Sequence, residues 1–313
     1  MEFTTLGRTG LRVSRMGLGC GGHSRLGRAT GRSESESVKV VEEALSLGIN
    51  FIDTAEAYGT EQIVGRGIRG VSRDKVVLST KVHVEQDGRR STVAEYRERV
   101  LGCLERLCVD YVDILHVHGL SVEHYAYATE YLLPVLQGLR AEGRVRFIGV
   151  TEAFAPDPRH EMLALASQGD VWDVVMVGFN VLNQSARDRV LPWTQSRNVG
   201  TLLMFAVRRA LSQPDRLRKV VRELADSGAV DAAAFDLDNP LGFVIEEGAA
   251  SSVTEAAYRF CRWEPGFDVV LSGTGDLEHL RENVRFLNQP PLPDRIVARL
   301  RSLFGGVDSV SGN

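Results

Sequence analysis

A single (β/α)8 TIM barrel over residues 1–313, preceded by an N-terminal β-hairpin, is the fold the sequence predicts, and three observations predict it. About eight short apolar runs alternate with amphipathic helical stretches along the 313 residues. The runs are apolar throughout rather than alternating, as in parallel strands covered on the outside by helices. No proline-rich or low-complexity linker divides the chain, and such a barrel of about 250 residues or more is one domain. A doubly wound sheet is the competing architecture. It calls for a G-x-G-x-x-G turn running straight into a helix, and no helix directly follows Gly17-x-Gly19-x-Gly21-Gly22.

The elements follow in order. Phe3 to Leu6, a turn at Gly7 to Gly10, and Leu11 to Val13 form a hairpin that plugs one end of the barrel. Arg15 to Gly19 is the first strand. Ser33 and Glu36 make a capping box for a helix buried through Val38, Val41, Ala44 and Leu45. Ile49 to Asp53 and Lys75 to Lys81 are strands. Thr92 and Glu95 open a helix that buries Tyr96, Val100, Leu104 and Leu107. Val112 to His118 is a strand, and Leu132, Val135, Leu136 and Leu139 form a helical stripe. Strands follow at Val145 to Val150, Val174 to Gly178 and Thr201 to Met204. A helix lies near Leu217 to Leu224. Ser252 and Glu255 cap another, Asp268 to Leu271 is the last strand, and Asp276 caps a final helix. The 31 glycines exceed the usual share of about 7%. A dozen of them fall at predicted strand ends and loops, where the backbone turns or approaches a ligand.

Composition excludes several classes. A net charge of −4 with no basic cluster argues against nucleic acid. No apolar run of about 18 residues is present, and the N-terminus has no signal-peptide pattern. Four scattered cysteines without a C-x-x-C are neither a disulfide framework nor a zinc site, so a cytoplasmic location and no metal are expected. Arginine outnumbers lysine 33 to 4, which draws attention to each lysine, because a buried lysine has a tunable pKa.

In a barrel, chemistry sits at the C-terminal strand ends. Those ends carry Asp53 with Tyr58 five residues on, Lys81, and His118. A phenol is a weak acid with pKa about 10, and a neighbouring ammonium lowers it. Asp53 would pair with Lys81, and His118 would orient a carbonyl oxygen. The set suits proton exchange at an oxygen while hydride moves at carbon. His116 is assigned to the opposite face from His118, packing between barrel and helices, and Cys20 to packing beside glycines.

Five segments in order, Gly48-Ile-Asn-Phe-Ile-Asp53-Thr-Ala-Glu-Ala-Tyr58-Gly, Leu78-Ser-Thr-Lys81, Leu107 to His118, Gly143 to Val150 and Ser272 to Asn283, resemble the aldo-keto reductase family. The stretch Asp110 to His118, with the loop that follows, most resembles the L-galactose dehydrogenase-like branch. The resemblance implies an NAD(P)-dependent oxidoreductase with Tyr58 as general acid/base, Lys81 and Asp53 tuning it, and His118 orienting the carbonyl. It also implies cofactor contacts from Gly21, Thr151, Glu152, Phe205, Ser272, Gly273, Thr274, Asp276, Glu282 and Asn283.

Some positions depart from that pattern. Thr151-Glu152 stands where the family usually has Ser-Asn for the carboxamide, and Met176 where it has Gln. A carboxylate at Glu152 facing the ring would favour the oxidised nicotinamide, hence a dehydrogenase. Phe205 replaces a stacking Tyr, and stacking needs only a π face. The helix N-terminus after Gly273-Thr274-Gly275 is expected to bind an anion. Asp276 there would repel a 2′-phosphate, so NAD is favoured over NADP about two to one, with Arg281 and Arg285 as the cations still able to serve a phosphate. Arg208 and Arg209 serve pyrophosphate or an anionic substrate, or are simply solvated. The loop carrying Glu123, His124 and Tyr125 either binds hydroxyls or is plain surface. The short tail after Phe304 contributes little wall. The expected partner is a small carbonyl, alcohol or sugar. The alternatives are a cofactor-binding sensor or regulatory subunit on the same barrel, and an NADPH-dependent carbonyl reductase. Oligomeric state is not readable from the chain.

Overall fold

A computed structural model describes residues 1–313. Eight parallel strands close into a barrel: β1 (Met16–Gly19), β2 (Phe51–Asp53), β3 (Val77–His83), β4 (Val112–Leu120), β5 (Val145–Glu152), β6 (Val174–Gly178), β7 (Gly200–Met204) and β8 (Val269–Ser272), which pairs back onto β1. Every predicted strand is present, with ends shifted by at most two residues and Val174–Gly178 matched at both ends.

Two separate cores hold the barrel. Between strands and helices lies the larger, formed by the outward side of each strand and the apolar stripes of the helices. The smaller fills the N-terminal end of the barrel: Phe51, Val77, Ile114, Val174, Met176, Leu202 and Val269 point inward, and Leu6, Leu11 and Val13 of the hairpin close over them. The hairpin pairs Phe3–Thr5 with Arg12–Ser14 and plugs that end as expected. With one end sealed, the open end is the C-terminal one, which carries Asp53, Lys81 and His118.

Helix Glu34–Ser46 carries the Ser33/Glu36 capping box, and helix Val93–Leu107 the Thr92/Glu95 box. At Val253–Arg262 only half of the box forms. Ser252 accepts from the Glu255 N–H, but the Glu255 carboxylate turns to Ser251 and Arg259. The segment after β4 differs from its expected loop: Val122–Tyr127 is helical and runs through a wide turn at Ala128–Leu132 into Leu133–Ala141. Pro134 has no N–H to give the preceding turn, and a locally wider helix absorbs that missing bond. The helix capped by Asp276, Leu277–Leu287, is not the last; Asp294–Phe304 follows it. No helix is long and apolar enough to cross a membrane.

The tail also differs from expectation. Residues 310–313 are tied down at the barrel mouth, with their carbonyls accepting from Asn183, Asn180 and the Ala210 N–H, and with Arg208 donating to the Asn313 side chain. Its short, Gly/Ser-rich sequence points only to little wall, because the groups that anchor it come from distant loops.

Candidate active site

Asp53, Lys81 and His118 sit on three adjacent strands whose register sets Asp53 beside Ser79 and Lys81 beside His116. Lys81 is completely buried and donates to Asp53 Oδ2 at 2.6 Å and to the Thr54 carbonyl at 2.7 Å. The other Asp53 oxygen accepts from Ser79 at 2.8 Å. Tyr58 lies on a 3-10 turn, Glu56–Tyr58, closed by Gly59 in the left-handed region. Its ring lies 5.0 Å from Lys81 Nζ, and its hydroxyl is 3.4 Å from His118 Nε2. Gly21 makes room for it: a Cβ there would lie 2.5 Å from the phenol ring. The turn is pinned by Arg99, which binds Glu56 at 2.6 Å and donates to the His83 carbonyl and to Ser91.

The electrostatics are ordered by burial. Lys81 is held protonated: burial opposes its charge, but Asp53 and Tyr58 outweigh burial and move its pKa up. Burial pushes the Tyr58 phenol up, and the Lys81 ammonium pulls against that shift. The ammonium was expected to lower the phenol pKa; in this molecule desolvation exceeds its effect. Burial, then Lys81, keeps His118 well below its ordinary value, so the ring is neutral at pH 7. Burial likewise raises the Cys20 thiol and makes it inert, in keeping with a packing role.

The assignment of His116 to the outer layer is wrong. Residues two apart on a strand share a face, so His116 points into the barrel one layer below His118. It fits because Gly149 on β5 has no side chain; a Cβ there would lie 2.2 Å from His116 Nδ1. Neither of its ring nitrogens has a partner. The same period of two carries β3 through Lys81 to His83, which the sequence reading missed. Its ring stacks on His118, with centroids 3.9 Å apart and 18° between planes.

The remaining residues form the rest of the mouth. Thr151 Oγ1 accepts from the Gly119 N–H at 2.7 Å. Glu152 is not free to face a nicotinamide. Its carboxylate is buried against His160 Nδ1 at 2.9 Å and accepts from the Gly178 N–H at 2.7 Å, while His160 Nε2 meets Ser185. The strand alternation that points Thr151 inward turns Glu152 out. Nothing local marks His160 as its partner. Phe154 stacks on His160 and meets Phe205 edge-on. Phe205 has φ 70°, a strained conformation for a phenylalanine, and the Arg208 guanidinium lies over its ring at 4.1 Å. Met176 belongs to the apolar layer inside the barrel.

At the far side of the mouth, Ser272 Oγ is bonded to Tyr258 and to Asn283, so the Asn283 amide nitrogen is turned inward. Gly273 lies against Gly19, where a Cβ would meet the Gly19 carbonyl at 2.5 Å. Thr274 accepts from the Asp276 N–H. The helix N-terminus expected to receive an anion is already capped: Asp276 accepts from the N–H groups of Glu278 and His279, and its other oxygen pairs with Arg32 at 2.5 Å. Glu282 is exposed and pairs with Arg285, and Arg281 pairs with Glu43 and Glu278.

The model of the Aldo/keto reductase family matches residues 16–304. L-galactose dehydrogenase of Arabidopsis thaliana is 34% identical over 208 residues, which cover 64% of this chain and 64% of that protein; the match thus spans just under two thirds of that relative's length. NADH-specific methylglyoxal reductase of Escherichia coli is 26% identical over 318 residues, covering 92% of this chain and 94% of that protein. Among solved structures, an aldo-keto reductase from Bacillus halodurans in its holo form superposes with a TM-score of 0.72 at 22% identity, covering 98% of this chain and 97% of that one.

Proposed function

This chain belongs to the aldo/keto reductase family, and from that premise we propose that it moves a hydride between a nicotinamide cofactor and a small aldose, aldehyde or ketone, or the corresponding alcohol. The observation that carries the reading is the buried Asp53–Lys81 pair beneath Tyr58, with His118 Nε2 at 3.4 Å from the phenol oxygen. In the reducing direction Tyr58 gives its proton to the substrate oxygen. His118, neutral, donates from Nε2 to that same oxygen and fixes the carbonyl. Lys81 stabilises the phenolate left on Tyr58, and Asp53 holds Lys81 charged and in place. In the oxidising direction the proton runs back to Tyr58. When bound, the cofactor supplies or receives the hydride at carbon.

The residues present fit such a cofactor. Phe205 supplies a ring at the mouth, held edge-on by Phe154 and with the Arg208 guanidinium over it, and Gly19 and Gly273 bring two backbones together without side chains between them. Thr151 is the hydroxyl for the carboxamide, while Gly21, Ser272, Thr274, Asp276, Glu282 and Asn283 border the remaining length. NAD is the preferred form. Asp276 stands at this end with its carboxylate spent on the helix N–H groups and Arg32, and Arg281 and Arg285 are each paired with a carboxylate. The name of the full-length E. coli relative, an NADH-specific enzyme, agrees. Glu152, bound to His160, lends no support to a preferred direction. The relative named as a dehydrogenase leans towards oxidation.

The test is turnover followed at the nicotinamide absorbance with both cofactors, in wild type and Tyr58→Phe. The variant is expected to bind cofactor normally and to lose about 100- to 10,000-fold in kcat. Near-full activity in Tyr58→Phe rejects the proton path, and a strong NADP preference rejects the charge argument at Asp276.

A further inference from the structure

Beside His118 lies a cavity of about 270 Å³, near the lower bound of roughly 300 Å³ for small-molecule sites. Its lining is polar, with His83, Glu85, Asp87, His118, Gly119 and His124 around it and few apolar side chains. The rim is a tight hairpin, Glu85–Gln86 against Arg89–Arg90, turned by Asp87 and Gly88 at positive φ. Its carboxylates are acceptors that suit hydroxyl donors and repel hydrocarbon.

His83 lines this cavity together with His118. Its Nδ1 is 3.0 Å from the His118 carbonyl oxygen. A carbonyl oxygen has no proton to give, so Nδ1 is the donor and Nε2 carries the lone pair. That Nε2 has no protein partner, yet it is absent from the buried, unpartnered atoms, so it reaches open space. Two near-parallel imidazoles 3.9 Å apart thus line one side of the mouth. His118 serves the oxygen at the reacting carbon, and the ring stacked on it, His83, offers an acceptor to a neighbouring oxygen of the same substrate.

We propose that His83 is a specificity-determining residue that accepts a hydrogen bond from the hydroxyl on the carbon next to the reacting one, so that the site selects α-hydroxy carbonyl compounds of the aldose type. The proposal rests on the hydride-transfer reading above and narrows its substrate class. Burial, the first cause, and the nearby Arg99 and Lys81 keep the ring below its ordinary pKa, against the His118 carbonyl and Glu56, which act the other way. The Nε2 lone pair is therefore available at pH 7. A site built to bond a hydroxyl discriminates against the analogue that lacks it.

The experiment compares lactaldehyde with propanal, which differ by that single hydroxyl, in wild type, His83→Ala and His83→Gln, with NADH and NADPH. Wild type is expected to favour lactaldehyde in kcat/KM by about tenfold, the scale of one lost hydrogen bond. His83→Ala should lower kcat/KM for lactaldehyde about tenfold more than for propanal, and His83→Gln, whose amide oxygen accepts, should recover part of that difference. Equal turnover of the two aldehydes by wild type, or equal losses on both in His83→Ala, overturns the role of His83 and leaves the oxidoreductase reading standing. If wild type binds a nicotinamide cofactor, seen by fluorescence quenching, but reduces neither aldehyde, the hydride-transfer reading falls and His83's role falls with it.

Discussion

Glu152 shows how far a residue's chemistry depends on its direction. As the second of a Thr-Glu pair it reads as a carboxylate beside the nicotinamide, yet its oxygens are occupied by His160 and the Gly178 N–H. The pair supports Phe154, whose ring stacks on His160 and meets Phe205 edge-on. Glu152→Ala is therefore expected to cost about 2–3 kcal/mol in denaturant unfolding, because His160 and Gly178 lose a charged acceptor in a buried site. It should weaken cofactor binding through Phe205 without altering the balance between oxidised and reduced cofactor. A change in that balance would restore the original reading. His116 teaches the same lesson about a period of two. Applied correctly to β4 it places His116 under His118, and applied to β3 it brings His83 to the cavity. Arg99, which pins the Tyr58 turn, has no local mark, since it is one of many arginines on a helix.

Among elements, the strands were the most legible. Each barrel strand is a short apolar run bounded by turn residues, and a run covered on both faces needs no partner to be recognised. The capping boxes at Ser33 and Thr92 were legible because both partners lie within one turn. The loop after β4 was not, because its wide helical turn answers a proline in the following helix. The 3-10 turn that carries Tyr58 relies on an element far from it in function, the loop after β1. Gly21 there is the only residue type that leaves space for the phenol. Gly21→Ala is expected to push the ring aside and lower kcat about 100-fold or more, since displacement by about 1 Å costs that much. Its melting temperature should stay close to wild type because the loop borders an open mouth. Unchanged kcat would mean that the ring has room elsewhere.

For the whole molecule, one sealed end and one open end divide the labour. The hairpin and inward apolar layer close the bottom, and the titratable groups gather at the top, buried and neutral where they are imidazoles. That burial links stability to pH. His116 and His118 are kept well below 6.5 by burial and by Lys81. The unfolded chain protonates both rings as pH falls through about 6.5, while the folded one does not. The unfolded state then binds more protons, so stability is fully present above that pH and falls below it, by up to about 1.4 kcal/mol per pH unit for each ring. Urea unfolding at pH 7 and pH 5.5 should show this loss, and His116→Asn should show a smaller one. An equal slope in the variant would mean that His116 is not held neutral.

By itself, the sequence determined the barrel, its plug and the four residues Asp53, Tyr58, Lys81 and His118. These rest on patterns within a few residues: apolar runs, turn punctuation, and strand ends that a parallel barrel must bring to one mouth. Only the tertiary structure decided which charges are spent and which are free. Asp276 reads as a lone carboxylate near a phosphate, but its partner Arg32 lies 244 residues away. Glu152 meets a histidine across a loop, and the 310–313 tail is anchored by Asn180 and Asn183. Ion pairs and hydrogen bonds form by distance in space, and in a closed barrel, where β8 pairs back onto β1, residues far apart in the chain become neighbours.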